Sequence, residues 1–300
     1  MQLAILILAL SAFAINTTEF GIIGILPAIA SDLNISIDQA GWLVSLFALS
    51  VAIAGPPLTL LTQRFDRKRL FIGILAIFAL SNLGAALSPT LGWLALARIV
   101  PAIALPVFWA VATVTAADLV PKPQRSRAVA LVFAGLSAAT VLGVPLGTFI
   151  ADLWGWRSTF FVIAGMSIIA LLGIAIYLPS VPAQTTTGLK QQLQVLHRKS
   201  LWLGLLSNSL LLAGMFTSYT YLAEFLTEVT KLDRQWISLM LLLFGATGLV
   251  GNWLAGQGLD RNPLRTTRLI MISLAVVTAL TMQAGTTFHL MLPVLLLWGL

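Results

Sequence analysis

The chain is a succession of apolar windows, most near the ~20 residues that a bilayer-spanning helix needs, divided by short charged or Pro/Gly-rich breaks. Few folds accept that pattern. In hydrocarbon every backbone N–H and C=O must find its partner inside the segment, so such windows read as helices. Nine complete windows are predicted: Leu3–Ala30, Gly41–Thr62, Leu70–Leu87, Leu91–Asp118, Ala128–Ala151, Ser158–Leu178, Leu201–Phe225, Trp236–Gly256 and Leu269–Ala284. A tenth begins near Leu290 and runs eleven residues to Leu300, so the sequence reads as a fragment whose last span is incomplete. Composition agrees, since 9% charged and 59% hydrophobic residues cannot cover a water-soluble globule, where about 25% is charged. The expected class is an all-α, multi-pass membrane protein.

Several functions fall away on the same reading. There is no cysteine, and His197 and His289 are far apart, so neither a disulfide framework nor a metal site is expected. The net charge of +7 does not point to nucleic acid, because the basic residues are dispersed among short loops rather than gathered on one solvated face. No Gly-x-x-x-x-Gly-Lys-[Ser/Thr] phosphate loop occurs, so ATP hydrolysis is not expected and no cofactor is implied. An integral-membrane enzyme would need clustered acid–base residues near one interface, and none is visible. A channel and a non-transporting assembly protein stay as rival classes.

The first window lacks a basic leading segment, exceeds a signal-peptide core in length and carries Glu19, so it is expected to remain as a span. Loops 64–69, 122–127, 190–199 and 261–268 hold thirteen Lys and Arg, against Arg157, Lys231 and Arg234 on the other side. That bias puts the basic loops and the N-terminus in the cytoplasm. The connection 179–200 separates a six-span unit, 1–178, from a partial one, 201–300. Within it Leu189, Leu193 and Leu196 recur at helical spacing beside Lys190, Arg198 and Lys199, which fits a helix on the membrane surface or, equally, a solvated linker.

Two charges stand deep inside spans, away from their ends. Glu19 stands eleven residues before the end of the first window and Arg98 seven after the start of the fourth, roughly 16 and 11 Å below the external boundary at 1.5 Å per residue. An isolated ion at that depth costs at least ~2.5–3.5 kcal/mol, so each is expected to face a partner or a water-filled cavity. Desolvation favours the neutral carboxyl and a nearby guanidinium favours the carboxylate, which makes Glu19, with Arg98, the candidate proton-coupling pair. A permanent ion pair that only fixes helix packing is the alternative. Helical spacing places Arg98 and Trp109 on one face of span 4, Asn208 and Tyr219 on one face of span 7, and Asn16 beside Glu19. With Tyr221 these polar and aromatic groups suit an uncharged or weakly polar small molecule, although Tyr219 and Tyr221 also fit interfacial anchors. Gly135, Ala139, Gly143 and Gly147 form a ridge of small residues along span 5, interrupted by Pro145.

The loop Gln63–Arg69 and the loop Asp260–Arg265 each follow the second span of their half, and Trp42 with Ser45 and Trp236 with Ser238 open those spans. A parallel repeat of six-span units is the mark of transporters with substrate between two bundles. With Asn16-Thr17-Thr18-Glu19-Phe20, Ala97-Arg98, Gly143 through Thr148, Trp154 through Phe161, Tyr219 through Phe225 and Gly256 through Arg265, the sequence resembles the major facilitator superfamily. It is most similar to the bacterial drug/proton-antiporter branch and its sugar-efflux and arabinose-efflux permeases. The loop departs from the family's Gly-x-x-x-Asp-Arg-x-Gly-Arg-Arg at Thr59, Gln63 and Asp66, and its second copy keeps Gly256, Asp260 and Arg261 but has Pro263 at the second Gly.

The resemblance implies a fold of two six-helix bundles, the second truncated, working by alternating access as a monomer in the bacterial inner membrane. It implies export of a small organic solute, sugar or drug-like, in exchange for protons, with nucleoside, purine and amino-acid export as alternatives. It also implies gating roles for Arg64, Asp66, Arg67, Asp260 and Arg261. Gly143, Pro145 and Gly147 would form an antiporter motif packed on the opposite bundle.

Overall fold

The computed structural model describes residues 2–180, 198–220, 222–232 and 234–300, and every regular element among them is helical. The chain divides into two compact units, Met1–Thr186 and Thr187–Leu300. The first contains α1 (Gln2–Phe20), α2 (Leu26–Asp32), α3 (Ile37–Thr62), α4 (Arg67–Ala86), α5 (Leu91–Asp118), α6 (Arg125–Trp154) and α7 (Trp156–Tyr177). The second contains α8 (Lys199–Thr220), α9 (Leu222–Glu228), α10 (Arg234–Arg261), α11 (Pro263–Ala284) and α12 (Phe288–Gly299).

Among the described residues seven segments are long and apolar enough to cross a membrane: six in the first unit, with α1 and α2 together counting as one, and Leu264–Ala284 in the second. Leu242–Ala255 and Phe288–Gly299 are shorter apolar stretches. Helices α8 and α10 occupy the seventh and eighth expected windows. The leucines at 189, 193 and 196 lie outside the described residues.

Local sequence sets the helix ends. Ser36 and Gln39 form a reciprocal capping box at α3, and the Thr90 hydroxyl accepts from the Trp93 amide at α5. Asp66 caps α4 through the Arg69 amide and Asn262 caps α11 through the Arg265 amide, both carboxyl- or amide-oxygen bonds spanning three residues. Thus the repeated loops share a cap three residues before an arginine. Gly155 turns α6 into α7 in a single residue at φ +82°, a conformation that disfavours any side chain.

The first span was expected to be continuous, and it is not. Helix α1 stops at Phe20, one short 3-10 turn covers Ile23–Ile25, and α2 resumes at Leu26. The causes are local. Pro27 has no amide to give the Ile23 carbonyl, and Gly21 and Gly24 weaken helix on either side. Asn16, Thr17 and Thr18 each turn a side-chain donor back onto the carbonyl four residues earlier, at 2.7, 2.7 and 3.2 Å, a habit that bends helices. The depth calculated for Glu19 on an unbroken helix therefore does not apply.

Within the first unit α1 packs on α6 and α7, α4 on α7 and α5, and α3 on α5. The small-residue ridge of span 5 is covered, within this unit, by α1. A methyl group at Gly135 would collide with the Ala9 carbonyl, Gly143 lies against Thr17, and one at Gly147 would come within 3.0 Å of the Gly21 carbonyl. Only small residues let the two backbones approach so closely.

Candidate functional site

Two apolar clusters fill the first unit, one built on Leu8, Ile15, Phe47, Phe78 and Phe108, the other on Ile22, Ile25, Leu43, Leu94 and Phe160. Between them, on three helices, the chain changes character. On α1 the gap between Ile15 and Ile22 holds Asn16, Thr17, Thr18 and Glu19; on α4 the gap between Phe78 and Ala85 holds Ser81 and Asn82; on α5 Arg98 follows Leu94 and precedes Ala102. Except for half-buried Glu19 these side chains are buried, Arg98 to 1% exposure. A polar layer thus crosses the bundle at the level of the break.

The break explains the layer's bonding. Ending α1 at Phe20 leaves carbonyls of its last turn without helical donors. The Arg98 guanidinium takes them: Nη1 donates to the Thr18 carbonyl at 2.5 Å and Nη2 to the Glu19 carbonyl at 3.5 Å. A cation at a helix C-terminus is also favoured by the helix dipole. The Phe47 ring covers the other side of the group, its centroid 4.6 Å from the guanidinium carbon. Asn82 fixes the remaining polar group, donating to the Thr18 hydroxyl at 3.1 Å and to the Phe78 carbonyl at 2.7 Å.

Arg98 is therefore bonded to the backbone beside Glu19 and not, at ion-pair distance, to its carboxylate. The fixed ion pair entertained from sequence is absent among the described residues. The Arg98 Nε has no acceptor there either.

The other candidate residues fall in several places. Asn16 is 1% exposed and gives its amide to the Ala12 carbonyl of its own helix. Trp109, three turns from Arg98 on the same helix α5, stacks on Phe133 of α6, centroids 5.0 Å apart at 25°. Asn208 is exposed on α8, Tyr219 stands near the end of that helix, and Tyr221 lies outside the described residues. Asp260 and Arg261 close α10.

On the side of the basic loops, Arg67 is buried and donates to Asp118 at 2.9 Å, with Arg125 at 3.7 Å from the same carboxylate. This ties the ends of α4, α5 and α6. Asp66 accepts from the Arg69 amide at 3.0 Å and from the Ser180 hydroxyl at 2.8 Å. The amide bond, more than the nearby cation, holds its carboxyl below the usual carboxylate range. The cap it forms is present at neutral pH and is lost as the pH falls through that lowered value. Arg64 is exposed.

Sequence reasoning overlooked three features. Asn82, a lone amide within span 3, was legible as a polar residue in a hydrocarbon window. The break was legible in Gly21, Gly24 and Pro27. The third is a latch opposite the basic loops, where Arg157 donates to Asp32 at 2.5 Å and to the Ser88 carbonyl at 3.1 Å and lies over the Trp156 ring. Only the fold brings those residues together.

Comparison with known proteins fits a transporter. The chain is 40% identical, over 91% of its length and 69% of the relative's, to the uncharacterized MFS-type transporter YtbD of Bacillus subtilis. It is 36% identical to a chloramphenicol resistance protein of Streptomyces lividans, over 88% of the chain and 68% of that protein. A probable sugar efflux transporter of Helicobacter acinonychis matches at 32% over 86% of the chain and 66% of its own length. Among solved structures, the proton:xylose symporter XylE superposes with a TM-score of 0.72 at 17% identity, covering 99% of the chain and 78% of the symporter, a likeness of fold. These relatives are transporters and not enzymes. The model of the Major Facilitator Superfamily matches residues 8–300, and the chain belongs to that family of multi-pass membrane transporters.

Proposed function

We infer that the protein exports a small organic solute, sugar or drug-like, in exchange for protons by alternating access, with Glu19 as the proton carrier. The observation that carries this reading is the broken first span. Its freed carbonyls occupy Arg98, so the half-buried carboxyl beside them is not held by an ion pair and can gain or lose a proton. Arg98 keeps one donor, Nε, unbonded, and an ionised Glu19 is the neighbouring group that would use it. The charge of the carboxyl then changes how span 1 engages span 4, which is the coupling that antiport needs. The sugar efflux and chloramphenicol resistance relatives favour this substrate range.

The remainder of the proposal concerns architecture. Nine spans and part of a tenth form one six-helix bundle, 1–178, and part of a second, 201–300, joined by a linker. The protein works as a monomer in a bacterial inner membrane with its N-terminus and basic loops in the cytoplasm. Asn16, Trp109, Asn208, Tyr219 and Tyr221 contribute to the substrate path. Arg64, Asp66, Arg67, Gly143, Pro145, Gly147, Asp260 and Arg261 contribute to gating.

The test is solute movement in vesicles under an imposed pH gradient, with a panel of sugars and phenicol-like drugs. Glu19→Gln keeps the size and neutral hydrogen bonding of the protonated carboxyl, so it should abolish gradient-driven export while exchange of solute for solute continues. Gradient-driven export that survives in Glu19→Gln removes Glu19 from the proton path.

A further inference from the structure

A groove of about 460 Å3 lies between α3, α4 and α5 of the first unit, its deep end about one helical turn from the polar layer. Helices α3 and α4 both pack on α5 and barely touch each other, so α5 floors an open cleft between them. Its walls are apolar: Leu58, Leu70, Gly73, Ile77, Val100 and Ile103. Polar groups gather at one end. There Thr62, Phe65 and Arg69 form the mouth, at the level of the basic loop. The Thr62 hydroxyl is already bonded to the Leu58 carbonyl at 2.7 Å, which leaves the Arg69 guanidinium as the available group.

No carboxylate among the described residues comes within ion-pair distance of that guanidinium. Arg67 is neutralised by Asp118, whereas exposed Arg64 and partly buried Lys68 add to the positive charge around the mouth. Depth supplies the second constraint. From Arg69 to Ile77 is eight residues of helix, about 12 Å. One leaflet's hydrocarbon is about 15 Å deep, half of the usual ~30 Å.

An apolar cleft one leaflet deep, closed at the headgroup level by an exposed cation that interacts with Asp66 but lies outside ion-pair distance of it, has the charge and shape of one ligand class. We propose that it is a binding site for an anionic phospholipid of the bilayer leaflet on the basic-loop side. One acyl chain lies along Gly73 and Val100, and the phosphate sits on Arg69. Phe65, 59% exposed, flanks the glycerol region. The site is independent of the solute carried and of Glu19.

Gly73 offers a clean way to test this. A Cβ built there meets no atom within 4 Å, so a larger side chain enters the groove without straining the helices. Purified protein would be titrated with phosphatidylglycerol or phosphatidylcholine of identical chains, and bound lipid counted by native mass spectrometry. Wild type should retain phosphatidylglycerol in preference, and Arg69→Gln should cut that preference about fivefold, the weight of one basic residue at a membrane surface. Gly73→Trp should displace the bound lipid whatever its headgroup, with Gly73→Leu intermediate and both variants melting like wild type. Equal retention of the two lipids by wild type overturns the proposal, as does undiminished lipid on Gly73→Trp. So does a Gly73→Cys variant that cross-links in membranes to another polypeptide helix rather than to a lipid analogue, since the groove is then a protein contact.

Discussion

Span 1 and span 4 carry the two intramembrane charges, and both contain proline, yet only span 1 breaks. Helix α5 runs from Leu91 to Asp118 through Pro101 and Pro106. Each of those prolines removes one backbone donor, and the surroundings absorb the change. Pro101 is buried, and the Pro106 ring is accommodated by Gly55 of α3, where a Cβ would come within 3.1 Å of it. In span 1 a proline coincides with two glycines and three side chains that bond back onto their own helix. Another helix then receives the freed carbonyls. The difference teaches that a proline alone does not open a buried span; the opening needs several local weaknesses and a donor from elsewhere to meet the loose ends. The unbroken span supplies that donor, and the broken span supplies the acceptors.

The strongest way to break this comparison is to remove the donor. Arg98→Leu leaves two buried carbonyls bare at ~1–3 kcal/mol each, so the first unit should lose about 3 kcal/mol in an unfolding titration in mixed micelles. Arg98→Lys should recover part of the loss. A leucine variant as stable as wild type would mean that the carbonyls of Thr18 and Glu19 do not depend on Arg98.

A smaller effect is expected from Pro27→Ala, which returns an amide to the Ile23 carbonyl. The gap between α1 and α2 should tighten, seen as slower hydrogen exchange at Ile23, Gly24 and Ile25, with stability changed by under ~1 kcal/mol because Pro27 sits where a helix start tolerates it. Unchanged exchange would put the break on the glycines and Arg98 alone. Least of all should follow from Pro101→Ala, since α5 is one helix with or without that ring. Stability should stay within about 1 kcal/mol and gradient-driven export near wild type. A large loss there would show that span 4 also uses its proline as a joint.

Much of the architecture was legible from window length alone, because hydrocarbon leaves a helix no alternative, and six windows in the first half correspond to six candidate spans. Charge placement likewise singled out Glu19 and Arg98. What sequence could not give was the manner of their meeting. Similar depth suggested carboxylate against guanidinium, whereas the guanidinium bonds main-chain carbonyls that exist as free acceptors only because the helix stops. Backbone groups carry no residue-specific signal. The bond from Asn82 to Thr18 and the Arg157 latch could not be read for a related reason, since their partners lie 64 and 125 residues away. The ridge on span 5 was visible as small residues, but a ridge does not say which helix fills it.

The packing of α1 on α6 and α7 also bears on how the protein is made. The first span emerges from the ribosome before either of its principal partners exists, and its latch to Arg157 must wait for 125 more residues. At ~5–20 residues per second that is on the order of 6–25 s. During that interval the weakest helix of the bundle stands without its main neighbours, so bundle closure is a late event of synthesis, and span 6 is the piece whose arrival permits it.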